Sequence, residues 1–315
     1  MLKLLVTILV LLNYTICEAQ IPKKDTTITY NNRVISMPMV VVRSKLNVSD
    51  FMQYVQADTS FYKAFKNLKI VGFTAINDVK MRNKKGEVIA SLNSTTKQIV
   101  YGKCRNTVVL QEATTGDYYN SKHQYNYTTA DMYASLLFAI PQKCGEDNIV
   151  GNGEVSTKGL SGIEKHKAQL KTLFFNPSKK INGVPLMGDK ASLFGESLTN
   201  NYDNNIDYEM YQNINCYKFS MVAKTTLNKS ERGNMVIDEM TTWFNTETMQ
   251  IMGRNYSLSY NAGVYDFNVQ MQVEMTTYNG LTVPSLIRYI GNWDVAFKKR
   301  ERGVFTAILY NFTGK

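Results

Sequence analysis

Histidine is almost missing: His123 and His166 are the two in a chain of 315 residues. Cysteine numbers four, tryptophan two and proline six. Neither histidine has a His, Cys or Asp at metal-ligand spacing, so a histidine-based zinc site lacks its ligands. His166 sits in Glu164-Lys165-His166-Lys167, a charged helix face, and neither histidine has a visible nucleophile or orienting partner for general-base work. Two near-motifs also fail. Gly151-Asn152-Gly153 begins like a phosphate loop, but Ser156 follows and no strong strand precedes it. Gly195-Glu196-Ser197 lacks the closing glycine of a nucleophile elbow, because Thr199 stands there. Asp58, Asp78, Asp266 and Asp294 show no local pairing beyond strand alternation. The expectation is a protein that is not an enzyme and uses no metal or cofactor. Beyond residue 20 no run reaches ~18 apolar residues, so no membrane-spanning helix is expected there.

What is present is apolar and aromatic. Hydrophobic residues make up 44% against 20% charged, with 20 Tyr, 14 Phe and 15 Met. That is enough for a substantial core and excludes wholesale disorder. Residues 1–19 read as a signal peptide: Lys3 supplies the positive end, residues 4–12 an apolar stretch, and Cys17-Glu18-Ala19 small residues at the cut. Lipidation at Cys17 is the alternative, but Tyr14-Thr15-Ile16 lacks the small residues a lipoprotein signal prefers. Cleavage removes one Lys and one Glu, so the exported chain keeps the net charge of +10.

Export makes disulfides persistent. Three cysteines remain, so at most one internal bridge forms. Cys104 and Cys144 flank polar, loop-like sequence, whereas Cys216 opens an apolar strand pattern and reads as a buried thiol. A Cys104–Cys144 bridge would close a loop worth about 4 kcal/mol in the chain-entropy model. Lysines concentrate at Lys158, Lys165, Lys167, Lys171, Lys179 and Lys180, with a second run at Lys298-Lys299-Arg300. A solvated face is the first reading and an anionic lipid surface the second. Nucleic acid is not expected, since no binding module is recognisable.

Hydropathy patterning gives α+β architecture. Residues 20–48 form a polar arm with a short strand at 39–42. Ser49 caps a helix over 50–68, with Phe51, Val55, Phe61, Phe65 and Leu68 on one stripe. Val71, Phe73, Ala75 and Val79 then alternate with polar residues, and Lys84-Lys85-Gly86 turns the chain into a second strand. Residues 111–160 form a Tyr- and Asn-rich elaboration with a helix at 130–140. Another helix spans 161–175. From Asp207 onward the chain is nearly all β. Its clearest strand carries Tyr265, Phe267, Val269, Met271, Val273 and Met275 on one face, and Asn279-Gly280 turns it into the next. One enlarged domain over 49–315, at least seven mostly antiparallel strands with one apolar and one wet face, is expected.

This order resembles the outer-membrane lipoprotein carrier (LolA-like) superfamily. The likeness rests on Phe61-Tyr62-Lys63-Ala64-Phe65 in the opening helix and on Tyr217-Lys218-Phe219. Thr242-Trp243-Phe244-Asn245 with its hairpin into Arg254, and Leu281-Thr282-Val283-Pro284, extend it. The resemblance implies a large antiparallel sheet curved into a half-barrel under two or three helices, holding acyl chains on its concave face. Tyr265, Phe267, Val269, Met271, Val273 and Trp243 would then line a lipid site; the alternative is that this stripe is plain core. The chain is also similar to a group of exported Gram-negative envelope proteins through Phe175-Asn176-Pro177, Gly183-Val184-Pro185 and Gly188-Asp189-Lys190, a likeness that carries no function. The expected location is the periplasm or outer membrane. The expected function is apolar-ligand binding without catalysis, or else a structural or protein-interaction role in the envelope.

Overall fold

The computed structural model describes residues 26–30, 33–37, 48–150, 200–233, 235–261, 265–295 and 299–314. The signal segment, the strand at 39–42 and the helix at 161–175 lie outside these residues. So do Lys165, Lys167, Lys171, Lys179 and Lys180.

An arm hairpin, β1 (Thr26–Tyr30) with β2 (Arg33–Met37), precedes two short helices, α1 (Val48–Ala57) and α2 (Ser60–Asn67). The single helix expected over 50–68 is thus broken. The cause is local: the Asp58 carboxylate accepts the Ser60 backbone N–H at 2.9 Å, a bond that competes with continuing the helix. The apolar stripe survives the break, and Phe51, Val55, Phe61, Phe65 and Leu68 are all buried.

Eleven antiparallel strands then form one sheet. β3 (Gly72–Arg82), β4 (Val88–Tyr101) and β5 (Cys104–Gly116) run outward to the two-residue β6 (Lys143–Cys144). From the opposite edge a second meander returns: β7 (Tyr202–Tyr211), β8 (Ile214–Ala223), β9 (Ile237–Asn245), β10 (Ile251–Asn261), β11 (Tyr265–Tyr278), β12 (Leu281–Val295) and β13 (Glu301–Thr313). β13 pairs with β3, so the sheet order is β6-β5-β4-β3-β13-β12-β11-β10-β9-β8-β7. The two edge regions are not paired to each other, and the sheet is an open, curved half-barrel. Residues 111–116, expected in the elaboration, belong to β5. Turn chemistry matches the junctions. Asn279 and Gly280 both take positive φ, as a type I′ turn requires, and the Asn83 side chain accepts the Lys85 and Glu87 N–H groups between β3 and β4.

Strand alternation separates two faces. One runs across the sheet as Val79, Phe305, Tyr289, Met271, Tyr256, Met240 and Met221, all buried and all in register. The opposite face carries Asp78, Thr306, Arg288, Gln272, Asn255 and Thr241 and is mostly polar. The apolar side is covered by α1, α2 and α3 (Thr128–Leu137); a short α4 (Lys229–Gly233) has no buried residue.

α3 is held by residues far away in sequence. Its first turn has no side-chain cap of its own. Instead Glu301 of β13 accepts the Thr128 and Thr129 N–H groups, both at 2.8 Å, and the Thr129 hydroxyl at 2.7 Å. Its carboxylate also faces the positive end of the helix. Gly303 lets the helix come this close, since a Cβ there would lie 2.6 Å from Thr129 Cγ2. One turn on, the buried Tyr133 hydroxyl donates to Asn77 Oδ1 at 2.6 Å, and Asn77 Nδ2 donates to Ser94 Oγ and Thr96 Oγ1, each at 3.1 Å. Every polar atom in this chain of bonds is satisfied inside the core, as burial demands. Glu301→Ala should therefore lower unfolding free energy by about 1–2 kcal/mol in urea titrations; an unchanged midpoint would contradict the capping role.

Candidate functional site: the concave face and its buried polar pair

The concave face lines the space between sheet and helices. Phe267, Val269, Met271 and Val273 occupy it and are each at most 4% exposed. Tyr265 heads the same strand opposite Val295, but its side chain lies outside the described residues. The face is rich in thioether: Met81, Met221, Met240, Met271 and Met275 are all buried there. Methionine is flexible and polarizable, which suits an irregular or variable filling. Tyr256 donates to the Met271 sulfur at 2.7 Å, and the Trp293 indole N–H donates to the Tyr289 hydroxyl.

Trp243 does not join them. Its neighbour Phe244 packs on Phe51 and Tyr54 of α1, so Trp243 points to the opposite, convex face. There it stacks on Tyr211 with ring centroids 4.5 Å apart and donates to Glu209 at 2.6 Å. Gly253 beneath leaves room for the Tyr211 side chain, whose hydroxyl a Cβ would meet at 2.5 Å. The period of two moves adjacent residues to opposite faces, which is why Trp243 is separated from the stripe it was expected to join. Cys216 lies on that convex side, fully buried, and burial pushes its thiol up to about 11.

Within the apolar concave face sits one buried charge pair. Arg254 of β10 is an inward residue beside Thr242 and Val273. Its Nε donates to Thr242 Oγ1 at 2.9 Å, and its guanidinium lies 4.5 Å above the Phe61 ring. Its Nη2 is 3.9 Å from Asp58 Oδ2, at the α1–α2 break. The two side chains are 6% and 7% exposed. Asp58 Oδ2 has no partner at hydrogen-bond distance, and the Ser60 hydroxyl lies beside the same carboxylate. Burial raises the Asp58 carboxyl above its ordinary range, and Arg254 and Ser60 oppose that only in part. Sequence reading missed this pair, although stepping back by two from Leu258 and Tyr256 assigns Arg254 to the apolar side. The same step from Ala75 assigns Asn77 inward, where its bond to Tyr133 makes the assignment meaningful.

A second polar assembly fixes α2. Cys104 and Cys144 face each other across β5 and β6 and are joined by a disulfide. The chain beyond it lies along α2. Glu146 accepts from Arg105 at 2.6 Å and Lys69 at 2.7 Å, Asp147 pairs with Lys66 at 3.4 Å, and Lys63 donates to the Asn148 carbonyl. Arg105 also donates to Gln98, whose amide donates to the Leu68 and Val71 carbonyls. Asn67 donates to the Thr282 carbonyl at 2.7 Å, completing the attachment of α2 to β12.

Among the described residues no group of three or more His, Cys, Asp or Glu is placed to hold a metal ion, and no helix is long and apolar enough to cross a membrane. His123 stacks on Tyr119 at 4.0 Å. On the outer side of β5 the Thr107 N–H donates to the Ala139 carbonyl at 3.2 Å and its hydroxyl accepts the Ala139 N–H at 2.8 Å; beyond Thr107 no described strand pairs with β5, and Val108, Val109 and Leu110 are exposed.

No family model matches the chain, and no curated protein matches it. The chain is similar to several solved structures. One is a DUF1329 family protein from Desulfovibrio piger, 10% identical, with a TM-score of 0.26, covering 82% of this chain and 91% of that one. Another is a putative outer membrane lipoprotein-sorting protein domain from Vibrio parahaemolyticus, 8% identical, with a TM-score of 0.27, covering 85% of this chain and 93% of that one.

The strap over α2 sets a pH dependence. Burial raises the Glu146 carboxyl, but bonds from Arg105 and Lys69 outweigh that and bring it to about 2, below its ordinary 4.5. A depressed carboxyl contributes stability above the unfolded value and loses it as pH falls toward the folded one. The stability difference between wild type and Glu146→Gln should therefore be full near neutrality and shrink between about pH 4.5 and 2. Urea midpoints across that range check it; a difference independent of pH would contradict the ion-pair assignment.

Proposed function

We propose that this is a non-catalytic, exported envelope protein that holds a lipid or other apolar chain against the concave face of its half-barrel. The observation that carries the reading is the methionine- and aromatic-lined face, from Phe267 and Val269 through Met271 and Met240 to Met221, lying under short helices. α1 and α2 supply 10 and 8 residues of cover, joined by a break rather than a rigid helix. Because the face is buried as it stands, a ligand enters by displacing part of that cover, and the adaptable methionines refill the space around it. The signal-peptide pattern supports export, and the +10 charge supports residence beside an anionic envelope surface.

A second reading rests on the β5 edge. From Val108 to Gly116 this edge has no lysine or proline, and it exposes Val108, Val109 and Leu110. Those are the features by which a strand pairs with another chain. An envelope interaction protein with a solid core would use this edge instead.

Native mass spectrometry of protein purified from envelope extract separates the two. The first reading expects added mass of one or two lipid-sized molecules that is lost in Met271→Glu but kept in Leu110→Lys. A clean unliganded mass, with a protein partner lost in Leu110→Lys, would replace it by the second.

A further inference from the structure

We propose that Asp58, Ser60 and Arg254 form a receptor for a hydroxyl group carried at the polar end of the apolar ligand; the inference rests on the binding function proposed above. A buried carboxylate and a guanidinium normally close to direct contact, because an imperfect pair does not offset the desolvation of two charges. Here Arg254 Nη2 and Asp58 Oδ2 stop at 3.9 Å, and Asp58 Oδ2 accepts from nothing. The Ser60 hydroxyl stands beside the same carboxylate and favours its charged form. An orphaned acceptor in the core is costly and is rare without a water or ligand group to satisfy it.

The spacing selects the group. One oxygen can sit about 2.8 Å from both Nη2 and Oδ2 across this gap, accepting from the first and donating to the second. It must therefore carry both a lone pair and a proton. A hydroxyl meets that demand, whereas a carboxylate or phosphate would set a second negative charge against Asp58, and an ammonium would face Arg254. Access and orientation agree. Asp58 and Ser60 flank Thr59, which is exposed, so the site lies one residue from solvent. In the other direction Arg254 is in register with Val273 and Ile287, which continue into the apolar face. A chain lying on that face would place its terminal hydroxyl at the pair. A bound water has the same chemistry and is the other source the test must separate.

The probes are dodecanol and dodecane, measured against the mature full-length chain by competition with a fluorescent fatty-acid analogue. Wild type should bind dodecanol about tenfold or more tightly than dodecane, the worth of a charge-assisted hydrogen bond. Asp58→Leu combined with Arg254→Met replaces the pair by apolar groups of similar volume, an exchange that is often neutral or stabilising. It should retain dodecane affinity and lose the preference. Ser60→Ala, a milder change, should reduce the preference in part. Equal binding of both probes by wild type would overturn the hydroxyl receptor, leave the apolar site standing, and assign the gap to a water only. Binding of neither probe would overturn both.

Discussion

The pairing of β13 with β3 is the constraint on which the rest of the molecule depends. It joins the last described strand to the first strand of the sheet, residues more than 200 apart in sequence, over the register from Arg302–Arg82 to Thr313–Gly72. Without it there are two meanders, each with a bare edge. With it there is one sheet of eleven strands, and the apolar stripes of both halves become one surface. The same strand positions α3 through Glu301 and Gly303, so closing the sheet and covering its middle are one event. Contacts this distant are made late and slowly, because loop closure must precede them.

The cover is attached by polar groups at chosen points and by apolar packing elsewhere. α3 is pinned by Tyr133 to Asn77, α2 by Asn67 to Thr282 and by the Glu146 strap, and α1 by Tyr54 to the Met249 carbonyl. Most of these bonds are satisfied on both sides. At the α1–α2 break Asp58 keeps an oxygen at 3.9 Å from Arg254, one of several buried oxygens, with those of Tyr118 and Tyr211, that no hydrogen bond satisfies. An under-satisfied buried group is where sequence consistency yields to function in many proteins.

Much of the fold was legible in the sequence because alternation is a strong signal. The stripe from Phe267 to Met275, the Asn279-Gly280 turn and the polar opposite face follow directly from a period of two. β5 was hidden because its outer half is exposed on both faces and reads as polar loop, Gln111-Glu112-Ala113-Thr114-Thr115. The helix over 50–68 appeared continuous because the apolar stripe crosses the break, while the local bond from Ser60 to Asp58 that stops it leaves no mark on that stripe. Of the site, the face was readable and the side-chain partners were not. Asp58 and Arg254 are 196 residues apart, and only the long-range register brings them together. Trp243 was drawn into the site by motif likeness, and the pleat puts it on the other side.

The central claim is that the concave face, and not an edge, receives an apolar chain. Methionine ε-methyl NMR reads it most directly. Titrating dodecyl-chain ligand should shift the signals of Met221, Met240, Met271 and Met275 in the core and leave Met210, 69% exposed on β7, where it was. Unchanged core methyl signals at saturating ligand, or shifts confined to Met210, would contradict it.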